Sequence, residues 1–154
     1  MLQRQGAALG VWVKAGHQVM FSSLDIEHDR ALAAKLGAGA SAGTPREAAA
    51  FGDVVMIAVP YPALPGIGMD LGDLIKGKIV IDPSNPIVPR DGDIGKWARE
   101  KGAGVASMEL LPGARIVRTF NAVPFARMGA AQQNPERMGM PMASDDASAV
   151  EVVS

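Results

Sequence analysis

The chain has 154 residues, of which 48% are hydrophobic and 20% charged, and its formal net charge is −1. This length is typical of one globular domain, and the near-neutral charge without a basic stripe disfavours nucleic-acid binding. The absence of cysteine excludes disulfides and thiolate chemistry and is typical of a cytoplasmic protein. No apolar run approaches the roughly 20 residues of a spanning helix, so we expect a soluble protein that binds no membrane.

The first segment predicts a helix followed by a strand. Gly6 to Ala15 has helical spacing of its apolar residues, Gly16 is a helix stop, and Val19 to Phe21 has strand character. The dinucleotide fingerprint G-x-G-x-x-G needs a strand before it, and only its third glycine has a match, at Gly6. We therefore expect either a chain without the first strand of the fold or a phosphate-binding turn that is built differently.

Two hydroxyl side chains, Ser22 and Ser23, follow this strand. Residues just past the second strand of a dinucleotide-binding fold face the adenosine ribose. The nearest carboxylate, Asp25, is displaced to the start of a predicted helix from Ile26 to Leu36, so the tip favours a phosphorylated cofactor, with His28 as a further candidate contact. The alternative is that Ser23 and Asp25 only cap the helix.

The centre of the chain predicts a capped helix and then a buried strand. Thr44, Pro45 and Glu47 have the spacing of a capping box, which predicts a short helix over Arg46–Phe51. The continuous apolar run from Val54 to Val59 predicts a strand buried on both faces of a parallel sheet, because such strands are covered by helices on either side.

Three predicted strands end in polar or proline-bearing tips. The strands are Val54–Val59, Lys78–Ile81 and Ala114–Thr119, and their tips are Val59-Pro60-Tyr61, Pro83-Ser84-Asn85-Pro86 and Asn121-Ala122-Val123-Pro124. Each tip alone is explained by a structural turn. The carboxyl ends of parallel strands meet at one edge, however, and open α/β sheets bind ligands there. Three tips at one edge therefore predict a ligand-binding rim.

The remaining elements complete an alternation of helices and strands. They are an irregular helical connection over Ala63–Ile75, a helix over Asp91–Lys101, a last strand over Gly139–Ala143 and a helix that starts at Asp145. This alternation predicts an α/β fold with a doubly wound, mostly parallel sheet and helices on both faces, of the Rossmann type. We expect a single domain over residues 1–154.

No residue near the tips is a convincing acid or base. His17 lies in a turn at the opposite end of the sheet and is predicted to be structural. Asp82 either holds a ribose hydroxyl or caps its turn through Ser84 and Asn85. The nine methionines are predicted to fill apolar space. We therefore predict no catalytic side chain and no metal ligand.

Five segments, taken in order, resemble the NADP oxidoreductases that depend on coenzyme F420, a deazaflavin. The segments are GAALGVWVKAGHQVMFSS, DVVMIAVPYPAL, KIVIDPSNPI, LLPGARIVRTFNAVP and MPMASDD. More broadly, the chain is similar to the nucleotide-binding domain of pyrroline-5-carboxylate reductases and of metalloreductases. The resemblance implies NADP(H) bound along the carboxyl edge of the sheet, and hydride transfer between its nicotinamide and a flavin or F420.

The resemblance also implies cofactor-binding positions. Gly6 matches the last fingerprint glycine, and Ser22 and Ser23 match the tip that holds the 2′-phosphate. The next residue, commonly arginine in the family, is Leu24. The positions matching segments beside the ribose and the nicotinamide are Val59, Pro60, Tyr61, Leu64, Asn85, Pro86, Asn121, Ala122 and Val123.

Two functions follow as hypotheses. The first is an NADP-dependent oxidoreductase of the cytoplasm that acts on a flavin or F420. The second is a catalytically weak or inert nucleotide-binding module, because the fingerprint turn and the segment that follows MPMASDD in the family are not in this sequence. A sheet without its first strand exposes an edge, so we expect pairing with a second copy as a dimer.

Overall fold

A computed structural model describes residues 5–124, 127–128 and 139–154. By their contacts these residues divide into two compact units, unit 1 within 1–52 and 123–139 and unit 2 within 53–122 and 140–154. Both alternate helices with parallel strands, so the predicted Rossmann-type α/β class is confirmed. In the described part of the chain, every helix is too short or too polar to cross a membrane. One domain over 1–154 stays a prediction.

Unit 1 contains a two-stranded parallel sheet. Its elements are α1 (Gln5–Lys14), β1 (Val19–Phe21), α2 (Ile26–Leu36), β2 (Ala40–Ala42) and α3 (Pro45–Phe51). The predicted helix after Gly6, the strand over Val19–Phe21 and the helix α2 are confirmed. Strand β2 escaped prediction because its sequence, Ala-Ser-Ala, has neither an apolar run nor a β-branched residue.

The helices α2 and α3 of unit 1 have the caps that their sequences predict. Asp25 Oδ1 accepts the backbone N–H of His28 at 3.0 Å, and α2 ends at Gly37 with a φ of 86°. At α3, Thr44 Oγ1 accepts the N–H of Glu47 at 3.2 Å, while Glu47 Oε2 accepts the N–H of Thr44 at 2.7 Å. The hydrogen bond from the Thr44 backbone lowers the pKa of Glu47. The capping box is confirmed.

Unit 2 contains a three-stranded parallel sheet in the order β3-β4-β5. Its elements are β3 (Val54–Met56), a 3₁₀ turn (Tyr61–Ala63), α4 (Leu64–Ile75), β4 (Ile79–Asp82), α5 (Val88–Lys101), α6 (Ala103–Leu110), β5 (Arg115–Arg118) and α7 (Ala147–Val153). All four residues of β4 are buried, as expected for a central parallel strand with an apolar sequence. Ile81 lies opposite both Met56 and Val117 in the two ladders.

Two strand predictions in unit 2 were wrong. β3 is shorter than the predicted Val54–Val59. Among the described residues it lies at the edge of its sheet with Val54 exposed, so the strand that is buried throughout is its neighbour β4. The predicted strand Gly139–Ala143 is reduced to one antiparallel bridge, in which Arg118 and Ala143 exchange backbone hydrogen bonds of 2.9 and 3.0 Å. Alternating hydrophobicity within one segment does not show whether another strand lies alongside it to form a ladder.

Helix α4 is more regular than predicted, and helix α5 starts at a different residue. The predicted irregular connection is the regular helix α4, in which Gly68 allows a close approach, since a Cβ there would lie 2.0 Å from the carbonyl oxygen of Leu110. Helix α5 has a kink at Gly92, whose φ of 61° and ψ of −139° are not helical, so a short helical segment from Val88 precedes the part that was predicted from Asp91. Asp91 Oδ2 accepts the N–H of Ile87 at 2.8 Å, which caps the first turn from within it.

Helix α7 is anchored to the sheet by packing and by an ion pair. Ala149 packs with Ile79 and Val117 in the core. Asp146 caps the helix by accepting the N–H of Ala149 at 3.0 Å, and it receives two bonds from Arg115, at 2.6 and 3.2 Å. The hydrogen bond from Arg115, with those from Ser148 and Ala149, holds the pKa of Asp146 well below its ordinary range.

We expect Asp146→Asn to lower the thermal midpoint at pH 7 and to bring it closer to the wild-type value at pH 3. A carboxyl whose pKa is lowered by folding stabilises the protein above its unfolded pKa of about 3.9, and this stabilisation is lost as the pH falls through the folded pKa. Thermal unfolding at the two pH values measures the effect. Asp145→Asn, which changes the exposed neighbour, is the control; an equal loss in both variants would contradict the assignment.

Candidate functional site

The carboxyl ends of β3, β4 and β5 lie at one edge of the unit 2 sheet because the three strands are parallel. We call the residues that follow these ends, 57–61, 83–86 and 119–122, the rim. Two of its tips are joined directly, because the side-chain amide of Asn85 donates to the carbonyl of Asn121 at 2.9 Å. Arg90 in α5 donates to the carbonyl of Asn85 at 3.0 Å and holds the same tip from its other side.

A buried charged network lies beneath the rim. Asp82, the last residue of β4, is fully buried and forms an ion pair with Arg118, its register partner in β5. Its other carboxylate oxygen accepts the backbone N–H of Ser84 at 2.8 Å and the hydroxyl of Ser84 at 2.5 Å. Arg118 also donates to the carbonyl of Ser84 at 2.7 Å. Of the two roles open to Asp82, the structure shows the capping of its own turn.

Helix α6 contributes a serine to the same network. Ser107 Oγ lies 2.5 Å from Asp82 Oδ2 and 3.1 Å from the hydroxyl of Tyr61, which in turn lies 3.0 Å from the carbonyl of Ala103. A serine has one proton and a carboxylate is the strongest acceptor present, so Ser107 donates to Asp82 and Tyr61 donates to Ala103. Burial raises the pKa of Tyr61, so the phenol keeps its proton at neutral pH.

The predicted unit 2 contacts differ in their access to solvent. Tyr61 and Leu64 are fully buried, and the hydroxyl of Tyr61 is used within the network. Contact of these two side chains with a cofactor stays a prediction. The predicted contacts that reach the surface, fully or in part, are Val59, Pro60, Asn85, Pro86, Asn121 and Ala122.

A cavity of about 210 Å³ opens beside the tip of β5. It is lined by Arg118, Asn121, Ala122, Pro141, Met142 and Ala143. Cavities that enclose drug-sized ligands measure roughly 300 to 1,000 Å³, so this one suits a single ring or a similar group. Within the described residues, no group of three or more histidine or acidic side chains is placed to hold a metal ion.

Three of the predicted contacts of unit 1, Ser22, Ser23 and His28, lie at the tip of β1 and in the first turn of α2. Ser22 and Ser23 follow the strand and are half-buried, Leu24 is fully exposed, and His28 is half-buried with its backbone N–H bonded to Asp25. Asp25 therefore caps α2, which is one of the two roles considered for it. Gly6 lies in α1 and Val123 is half-buried. Their contact with a cofactor stays a prediction.

A family model described as NADP oxidoreductase, coenzyme F420-dependent, matches residues 4–86, which is more than half of the chain. The chain belongs to this family. The resemblance drawn from the sequence motifs is thereby confirmed, and the chain is an NADP oxidoreductase-like module. The matched segment includes the tips of β1, β3 and β4. No curated protein sequence gives a significant match.

Solved structures with the same fold include members described as reductases. A hypothetical protein from Sinorhizobium meliloti is 27% identical, with a TM-score of 0.73 over 96% of this chain and 72% of its own. A proposed F420-dependent NADP reductase from Arthrobacter sp. FB24 is 16% identical, with a TM-score of 0.74 over 97% and 73%. A pyrroline-5-carboxylate reductase from Coxiella burnetii is also 16% identical, with a TM-score of 0.53 over 75% and 38%. At such low sequence identity, the similarity to the last two structures shows only that the fold is shared.

Sequence reasoning missed Arg118 and Ser107, although it singled out Asp82. The pairing of Asp82 with Arg118 depends on the register of β4 with β5, in which Ile79 lies opposite Arg115. The one available signal was a charged residue at the end of an otherwise apolar strand. Such a residue requires a partner when it is buried, but the sequence does not name that partner.

We expect Arg118→Met to destabilise the protein by about 3 to 5 kcal/mol, because it leaves the buried Asp82 carboxylate without its counter-ion. The double variant Asp82→Asn with Arg118→Met should cost at least about 1 kcal/mol less than the sum of the two single variants, since they share one interaction. Urea unfolding of all three measures this coupling. Lys96→Met, in an exposed pair with Glu100, is the control and should cost less than about 1 kcal/mol. Strict additivity of the two buried substitutions would contradict the coupling.

Proposed function

We propose that this chain is an NADP(H)-dependent oxidoreductase that transfers hydride between the nicotinamide and a flavin-like acceptor or the deazaflavin coenzyme F420. The observation that carries the proposal is the family match over residues 4–86. In unit 2 the proposed contacts are Val59, Pro60, Tyr61, Leu64, Asn85, Pro86, Asn121 and Ala122. In unit 1 they are Gly6, Ser22, Ser23, His28 and Val123.

The chemistry of such a reaction fits what the rim offers. The nicotinamide supplies a hydride, and the reaction needs two stacked rings and exclusion of water more than a strong acid or base. The ionisable rim residue Tyr61 and Asp82 beneath the rim are buried and bonded to neighbours. Their part is therefore to hold the strand ends in place.

Asn121 is the group that we propose for the carboxamide of the nicotinamide. Its backbone carbonyl oxygen already accepts from the side chain of Asn85, and Asn121 lines the ring-sized cavity beside β5. A side-chain amide both donates and accepts, which matches a carboxamide. The largely apolar surroundings from Ala122, Pro141 and Met142 suit a planar ring.

One observation favours the alternative, a nucleotide-binding module with little or no activity. Tyr61 and Leu64, which the family resemblance places against the cofactor, have no exposed surface. A cofactor would then contact this tip through the exposed parts of Val59 and Pro60 and not through these two side chains. Binding without hydride transfer is the outcome that distinguishes this alternative.

Titration with NADPH, followed by the fluorescence of the reduced nicotinamide, tests the proposal. We expect a micromolar Kd and reduction of F420 or FMN by the bound NADPH, detected by the absorbance of the acceptor. Asn121→Ala should weaken binding about tenfold, since a lost hydrogen bond is worth roughly 1 to 1.5 kcal/mol. Lys96→Met, exposed on α5, is the control and should bind like the wild type. Failure to bind either NADPH or NADH would overturn the proposal.

We also propose that the chain is a cytoplasmic homodimer. The edge strand β3 has Val54 36% exposed, and an exposed apolar sheet edge is a surface for pairing with another chain. Sedimentation velocity should give a mass twice that of the 16.0 kDa chain. A single monomeric species at micromolar concentration would contradict the proposal.

A further inference from the structure

We propose that Asp29 determines how the adenosine end of the cofactor is selected. Its carboxylate favours a 2′-hydroxyl over a 2′-phosphate, so the chain uses NADH as well as NADPH. This inference rests on the proposed function and refines it at one subsite. It concerns unit 1 alone, at the tip of β1 and the first turn of α2.

Asp29 is a buried carboxylate with an unused oxygen. Its residue is 4% exposed, and its Oδ1 accepts the hydroxyl of Ser23 at 3.0 Å. Within the described residues, its Oδ2 has no hydrogen-bond partner. A buried acceptor without a partner costs about 1 to 3 kcal/mol. A ligand that brings a hydrogen-bond donor to this oxygen would recover that cost.

The two serines at the tip are not equivalent donors. Ser23 Oγ accepts the backbone N–H of Asp25 at 3.1 Å while its single proton is directed to Asp29. It therefore has no proton to offer to a phosphate. Ser22 Oγ is buried and has no partner within the described residues, so it is the hydroxyl of the pair that remains for a ligand.

The charges around the tip do not resemble a phosphate site. The residue after the serines is the exposed, apolar Leu24, and Arg30 in α2 is bonded to Glu27 at 2.6 Å. A 2′-phosphate is a dianion that accepts hydrogen bonds, so beside Asp29 it is repelled and leaves Oδ2 unsatisfied. A 2′-hydroxyl that reached these two buried atoms would donate to Oδ2 and accept from Ser22. Carboxylates recognise the ribose of dinucleotides through this chemistry.

The test compares NADPH and NADH on the wild type and on Asp29→Asn. We expect wild-type Kd values for the two cofactors within about tenfold of each other. Asp29→Asn keeps an acceptor for Ser23 but removes the charge, so NADPH binding should tighten about tenfold while NADH binding weakens a few-fold. A merely structural role for Asp29 would weaken both, which makes the opposite signs decisive. If Asp29→Asn does not fold, as judged by circular dichroism, Asp29→Ser takes its place.

Two further variants test whether the effect is specific to Asp29. Asp25→Asn removes an exposed carboxylate from the same loop and should leave the ratio of the two Kd values within about twofold, because exposed charges are screened. Leu24→Arg adds a cation at the tip and should tighten NADPH binding alone, which shows that the 2′-phosphate lies there.

The outcomes separate the inference from the proposed function. If the wild type prefers NADPH by more than about a hundredfold, or if Asp29→Asn leaves the ratio unchanged, the inference is wrong while the proposed function stands. An equal shift in Asp25→Asn also overturns it, because the effect then belongs to the net charge of the loop. If the wild type binds neither nucleotide, the proposed function fails and the inference fails with it.

Discussion

The buried ion pair between Asp82 and Arg118 is the interaction on which the rim of unit 2 depends. Both residues end their strands at the same position of the ladder, so the pair is made only when β4 and β5 are in register. Ser84 and Ser107 complete the hydrogen bonds of the carboxylate. A buried charge is tolerated only when it is paired and hydrogen-bonded, so this network ties one register of the sheet to one position of the turn that follows it.

The two units treat their buried polar atoms differently. In unit 2 the network around Asp82 is closed, since each oxygen of its carboxylate receives donors from the protein itself. Within the described residues, the buried side-chain atoms without a partner are Ser22 Oγ and Asp29 Oδ2, and both belong to unit 1. The carboxylate network of unit 2 is therefore internally satisfied, whereas the tip of β1 retains two unused hydrogen-bonding atoms.

Local signals predicted much of the fold. The apolar run of Lys78–Ile81 predicted the strand β4, and the spacing of Thr44 and Glu47 predicted the cap of α3, because both signals come from neighbours in sequence. Errors occurred where the partner is distant. The limited ladder at Ala143 and the exposure of Val54 depend on which strand lies alongside, and no pattern within those segments records it.

The candidate site was predictable to a similar degree. The tips carrying Asn85 and Asn121 were recognised from their position after strands, and they are in contact. The roles of Asp29, Ser107 and Arg118 were not predicted. Each has a partner at least six positions away, and a charged or hydroxyl residue within a helix or strand is as often a solvated surface residue as a buried one.

The close approach of Gly68 to the backbone of Leu110 limits which substitutions are tolerated at position 68. Every amino-acid substitution of a glycine introduces a residue that carries a Cβ, and at this position the Cβ would come within 2.0 Å of a carbonyl oxygen. Because that oxygen belongs to the backbone, no rotamer change relieves the clash. A substitution at this position would require α4 and α6 to move apart, and α6 also carries Ser107, so position 68 is coupled to the carboxylate network through α6.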